Sequence, residues 1–168
     1  MYQWRITKYN PKNRDELGNY QKNEWTSIID VGKKFDGIEF SLGEYLTYES
    51  AYIDAITRIM NENNVESIKI EALEKMKFVN YADFSKQREK KIFESLKKDM
   101  LVSTLYVVQI AKLALREMIW CKLSCNRVFV HFGYDFYMYI GSEQPAKEAI
   151  RTITDNILFV EDMVSPYA

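Results

Sequence analysis

Apolar and polar residues alternate at the start of the chain. Tyr2, Trp4 and Ile6 fall on one side and Gln3, Arg5 and Thr7 on the other, which predicts a short strand over Tyr2–Tyr9. Asn10-Pro11 and Leu17-Gly18-Asn19 are turn signals, so residues 10–24 read as loop. Trp25 to Ile29 reads as a second short strand, followed by a polar turn between Gly32 and Gly37. Ser41-Leu42-Gly43-Glu44 matches a capping box, in which a serine caps the first turn and a glutamate three residues on caps it back. A helix follows, with Tyr45, Tyr48, Tyr52, Ile56, Ile59 and Met60 at helical spacing and an end near Asn61–Asn64. Val65 to Ile70 alternates again and predicts a strand.

Residues 74–99 are the most charged part of the chain. Phe84, Ile92, Phe93 and Leu96 supply a thin apolar stripe, so a helix with a solvated outer face is expected. A second helix is expected from about Leu105 to Ile119, with Val108, Leu115 and Ile119 inward and Leu105 and Leu113 beside them. After Trp120 the period changes to two. Strands at Met118–Cys125, Val128–Phe132 and Asp135–Ile140 are expected, the last two joined at Gly133-Tyr134 or Tyr134-Asp135. Either turn puts Val128, Val130, Phe132, Tyr137 and Tyr139 on one face and Phe129, His131, Phe136, Met138 and Ile140 on the other. Two arrangements fit: both faces covered, or one open with Tyr137 and Tyr139 as contacts. Pro145 opens a helix over Ala146–Asn156, and Phe159–Val164 closes the chain as a strand. The expected fold is α+β: one domain over 1–168, a mixed or antiparallel sheet with a C-terminal β-hairpin–helix–strand unit, and several packed helices.

Composition narrows the function. The net charge of −1 lacks the basic surplus that phosphate neutralisation demands of a dedicated nucleic-acid binder. Aromatic residues make up 14%, twelve of them tyrosine, which can be half buried and half wet and so suits a recognition surface. The N-terminus carries no apolar run resembling an export signal, and no stretch is long and apolar enough to span a membrane. A cytoplasmic location with reduced thiols is expected.

Chemistry-bearing residues are few. Cys121, Cys125 and His131 give a C-x3-C-x5-H spacing, but no fourth ligand stands out for zinc, and buried thiols are the expected outcome. His131, the one histidine, lies between Val130 and Phe132 in a strand and reads as a sheet histidine with one hydrogen-bond partner rather than a general base. No nucleophile elbow, phosphate loop or dinucleotide fingerprint is present. Phe129-Val130-His131-Phe132 matches half of an RNA-recognition strand, without its basic-Gly-aromatic-Gly start. Trp4-Arg5, Lys8-Tyr9, Lys12 and Arg14 interleave aromatics with cations and could stack on bases. No cofactor and no metal are expected.

Two groups of segments carry a resemblance. Trp4 to Pro11 with Glu24-Trp25-Thr26-Ser27 and Asp30 to Lys33 is one. Trp120 to Leu123, Phe129 to Gly133, Tyr137 to Gly141 and Ser165-Pro166-Tyr167 is the other. Together they resemble a family of small bacterial cytosolic proteins, some of which are similar to immunity proteins of polymorphic or contact-dependent inhibition toxins. The resemblance brings no catalytic residues. It implies a non-enzymatic protein that neutralises a cognate toxin domain, such as a nuclease, by occlusion. Tyr134, Asp135, Tyr137, Tyr139 and Glu143 are the expected contacts. An acidic cluster of Asp135, Glu143, Glu161 and Asp162 would steer a basic toxin. The competing readings are a small enzyme using His131 with Tyr137 or Asp135, and an RNA- or DNA-binding module.

Overall fold

Alternation at the N-terminus becomes strand β1 (Tyr2–Thr7) in the computed structural model, which describes residues 1–77 and 87–167. The following elements are β2 (Lys34–Phe35), β3 (Ile38–Glu39), α1 (Leu42–Glu62), β4 (Ser67–Lys75), α2 (Gln87–Ser95), β5 (Leu101–Ser103), α3 (Thr104–Leu115), β6 (Ile119–Ser124), β7 (Val128–Phe132), β8 (Met138–Ser142), α4 (Lys147–Thr154) and β9 (Phe159–Asp162). Seven strands form one antiparallel sheet in the order β5-β4-β6-β7-β8-β1-β9. The N-terminal strand is thus inserted between β8 and β9, with Trp4 opposite both Ile140 and Asp162. The fold is α+β, with the hairpin, helix and strand expected at the C-terminal end.

One sheet face carries Ile6, Ile68, Ile70, Leu123, Val128, Val130, Met138 and Ile140, all fully buried. Against it pack Tyr52, Ile56 and Ile59 of α1, Ile110 and Ala111 of α3, and Ile153 of α4. The helix α1 starts with the serine half of its expected capping box: the Ser41 hydroxyl accepts the Glu44 N–H at 3.1 Å. At its other end the Glu62 carboxylate accepts the Glu148 and Ala149 N–H groups at 3.3 and 2.8 Å, placing an anion at the positive end of α4. Arg116, just past α3, grips Glu49 of α1 through two bonds of 2.6 and 2.9 Å. These polar ties fix the helices relative to one another once the apolar face has brought them together.

Several expectations are corrected. Trp25–Ile29 is not a strand. The Asp30 carboxylate accepts the Thr26 and Ser27 N–H groups at 2.8 and 3.3 Å and winds Ile28–Asp30 into a 3-10 turn. Residues 74 and 75 belong to β4 rather than a helix, and the expected Phe84 contact lies outside the described residues. On α3 the buried positions are Val107, Ile110, Ala111, Leu113 and Leu115, whereas Leu105 is 79% exposed. Ile119 is a strand residue of β6. The β7–β8 connection has five residues, 133–137, not two, so Val130 faces Ile140 and Val128 faces Ser142. Met138 and Ile140 therefore share the helix-covered face with Val130, and Tyr139 joins Phe129 and His131 on the other. The helix near Pro145 begins at Lys147, after Ala146 has taken a left-handed conformation.

Candidate functional site

The second sheet face is covered around His131 and Tyr139 by a segment of chain and is open at Lys69 and Leu101. Phe129 stacks on His131 with ring centres 4.4 Å apart, and the Phe129 ring lies over Gly141, where a Cβ would come within 2.0 Å of it. The C-terminal segment crosses this face. Ser165 Oγ lies 2.8 Å from His131 Nδ1, and the Ser165 N–H donates to Gln3 Oε1 at 3.0 Å. Tyr167 meets Trp120, His131 and Tyr139 edge to face, and Lys122 donates its ammonium to the Tyr167 carbonyl.

His131 is 4% exposed, and burial, reinforced by Lys122, pushes its pKa down to about 4. It stays neutral at pH 7, held by Ser165. Cys121 points to the helix-covered face, since it is Lys122 that pairs with His131. Cys121 and His131 therefore lie on opposite sides of the sheet. Both cysteines are free thiols, and burial pushes the Cys121 thiol up to about 12. Among the described residues no group of three histidine, cysteine or acidic side chains could hold a metal ion.

The N-terminal aromatic–cation segment is also engaged within the fold. Arg5 forms a bidentate pair with Glu161 at 2.9 and 2.8 Å, and Arg14 approaches the same carboxylate at 3.5 Å. Lys8 is buried, with its ammonium 3.9 Å from the Tyr9 ring centre, 4.2 Å from that of Trp25 and 3.3 Å from Glu24. Desolvation pulls its pKa down to about 8. Glu161 is thus neutralised and does not join an acidic cluster with Asp135. Glu143 lies at the other end of β8, 4.0 Å from Arg127.

The end of the sheet beyond β7 carries a cleft of about 250 Å³. Its walls include Met76, Ala114, Leu115, Ile119, Phe132 and Phe136, and its polar rim is Glu117, Trp120, Tyr134, Asp135 and Tyr137. The expected contacts Tyr134, Asp135 and Tyr137 are brought together here, with Tyr134 projecting at 77% exposure. Tyr139 is 8% exposed beneath Tyr167, and Glu143 is remote. His131 does not line the cleft, so the combination of His131 with Asp135 or Tyr137 is not assembled.

The loop wall is set by local bonds. Gly133 N–H donates to the Tyr137 carbonyl at 2.8 Å, and Tyr137 N–H to the Tyr134 carbonyl at 3.1 Å. Asp135 and Phe136 both take positive φ, 53° and 62°. Tyr52 fastens this conformation from below: its hydroxyl accepts the Lys8 N–H at 2.9 Å and donates to the Phe136 carbonyl at 2.6 Å. Arg14 donates to the Tyr137 hydroxyl at 3.2 Å from the outer side.

Glu117 was not legible as a site residue. After α3, Met118 N–H bonds to the Leu113 carbonyl at 2.9 Å and Glu117 N–H to the Ala114 carbonyl at 3.0 Å. This is a Schellman ending, and it gives Glu117 a φ of 57°, a position usually held by glycine or asparagine. The same ending closes α1, where Asn64 holds the left-handed position at 51°. At α3 a carboxylate stands there instead. Partial burial holds it above the ordinary carboxylate range, with Asp30 and Asp135 adding to the shift and a Ser27 hydrogen bond opposing it. The neighbouring Arg116 is committed to Glu49 and Glu89. Among the described residues neither Glu117 nor Asp135 forms an ion pair with a basic group.

Among the described residues no helix is long and apolar enough to cross a membrane. Compared with protein-family models, with curated proteins and with solved structures, the chain matches none of them.

Proposed function

We propose that this protein is a non-enzymatic binding protein that blocks one cognate protein by occlusion, in the manner of a bacterial cytoplasmic immunity protein against a toxin domain. The observation that carries the reading is the cleft: an exposed tyrosine, an apolar hollow and two carboxylates that form no ion pair among the described residues meet at one end of the sheet. A surface with an aromatic anchor beside a desolvated pocket is the usual centre of a tight protein interface. Unpaired acidic charge at the rim suits a basic partner, and toxin nucleases tend to be basic. His131, on which the competing enzymatic reading depended, is buried, bonded to Ser165 and outside the lining of this cleft.

The test is co-expression with a toxin domain encoded beside the gene. Protection from toxicity is expected. Joint replacement of Tyr134 and Asp135 by alanine is expected to weaken binding at least tenfold, about 1.4 kcal/mol, with an unchanged circular dichroism spectrum. Absence of protection against a demonstrably toxic neighbour, or unaltered affinity of the double variant, would count against the reading.

A further inference from the structure

We infer that the cleft between Glu117 and Asp135 receives a single arginine side chain of the protein partner. This rests on the occlusion reading and names the chemistry of its central contact.

Size is the first constraint. At about 250 Å³ the hollow falls below the roughly 300–1,000 Å³ of ordinary small-molecule sites. It suits one long side chain rather than a cofactor or a folded segment. Shape and polarity give the second. Met76, Ala114, Leu115 and Ile119 offer an apolar wall for an aliphatic stem, while Glu117 and Asp135 stand at the rim where a charged head would come to rest. A long basic side chain has this division, with an apolar stem and a charged tip.

Charge is the third constraint. Among the described residues Arg116 pairs with Glu49, Lys33 with Asp30, Lys8 with Glu24, and Arg5 and Arg14 with Glu161, and none of these cations pairs with Glu117 or Asp135. Glu117 and Asp135 line the same cleft and repel one another. A cation arriving at the rim relieves that repulsion. Arginine is favoured over lysine because its planar head can pair with carboxylates and stack on rings together, and Trp120, Tyr134 and Tyr137 share the same rim.

The experiment uses n-butylguanidinium as the stem and head of arginine, and n-butylurea as its uncharged counterpart of equal shape. Each is titrated into the full-length, ¹⁵N-labelled protein and followed by amide chemical shifts. Saturable shifts at Glu117, Trp120, Tyr134 and Asp135 are expected with n-butylguanidinium at a Kd on the order of millimolar, as befits so small a fragment. n-Butylurea is expected to bind at least tenfold more weakly. Glu117→Gln combined with Asp135→Asn should abolish that preference while leaving the remaining spectrum in place. Equal affinity for the two probes, no saturable shift at these amides, or a preference that survives in the double variant would overturn the inference. The outcomes separate the two proposals. If the probes fail to discriminate but Tyr134→Ala still loses the partner, the binding role stands without the arginine. If guanidinium binds selectively while the Tyr134 variant keeps full partner affinity, the cleft recognises the cation but is not where occlusion occurs.

Discussion

The two faces of the sheet are held by different physics. The helix-covered face is built from isoleucine, valine and leucine pressed against α1, α3 and α4, and its stabilisation is non-directional and insensitive to pH. The opposite face is held by directed contacts: a histidine–serine bond, a double arginine–glutamate pair, ring stacking and a segment of chain laid across it. The first face supplies most of the stability. The second supplies its dependence on conditions, and it borders the cleft.

Substitutions can break or sharpen this contrast. The largest effect is expected on the covered face. Ile110→Ala opens a cavity at a fully buried position and should cost about 2–5 kcal/mol by urea denaturation. A loss below about 1 kcal/mol would erase the distinction between the faces.

On the second face the sharper signature is pH. His131 has a folded pKa near 4 against an unfolded value near 6.5, so the unfolded chain takes up its proton first as pH falls. Its contribution is complete above pH 6.5, declines between 6.5 and 4, and is gone below 4. The difference amounts to roughly 3 kcal/mol. Urea denaturation at pH 7 and pH 4.5 should show a larger acid loss for the wild type than for His131→Asn; parallel losses would remove the histidine from the account.

The smallest effect of the three is expected at Gly141, where an added Cβ meets the Phe129 ring. Gly141→Ala should cost about 1–3 kcal/mol by displacing that ring. The penalty should shrink when Phe129→Ala is present as well, since the two positions are directly paired across β7 and β8. An additive double variant would show that the ring is not what the alanine meets.

Some of this was readable from residues alone. The Ser41–Glu44 cap, the tyrosine–isoleucine stripe of α1 and the alternation of β1 each report a local rule that the tertiary structure leaves intact. Failures occurred where a local rule had two solutions. The α3 segment Thr104–Leu115 is almost wholly apolar, so its period does not distinguish Val107 from Val108 as the inward residue. The hairpin register depended on loop length, and a five-residue loop in which Asp135 and Phe136 adopt positive φ without glycine leaves no turn signature in the sequence. Tyr134, Asp135 and Tyr137 line one cleft because loop and strand neighbours stay close in space. That Glu117 lines the same cleft is not legible, because a glutamate after a helix carries no sign that it will take the left-handed cap position. Glu143 was included for its nearness along the chain, although β8 carries it to the other end of the sheet.

The hydroxyl of Tyr52 has a kinetic consequence. Because it bolts the Phe136 carbonyl to the backbone of Lys8, the wall of the cleft is anchored in the core before any ligand arrives. The proposed partner would meet a preorganised surface there and order little additional backbone on arrival. Encounter rates then follow diffusion and charge steering, and substitutions within the cleft change how long a complex lasts more than how quickly it forms.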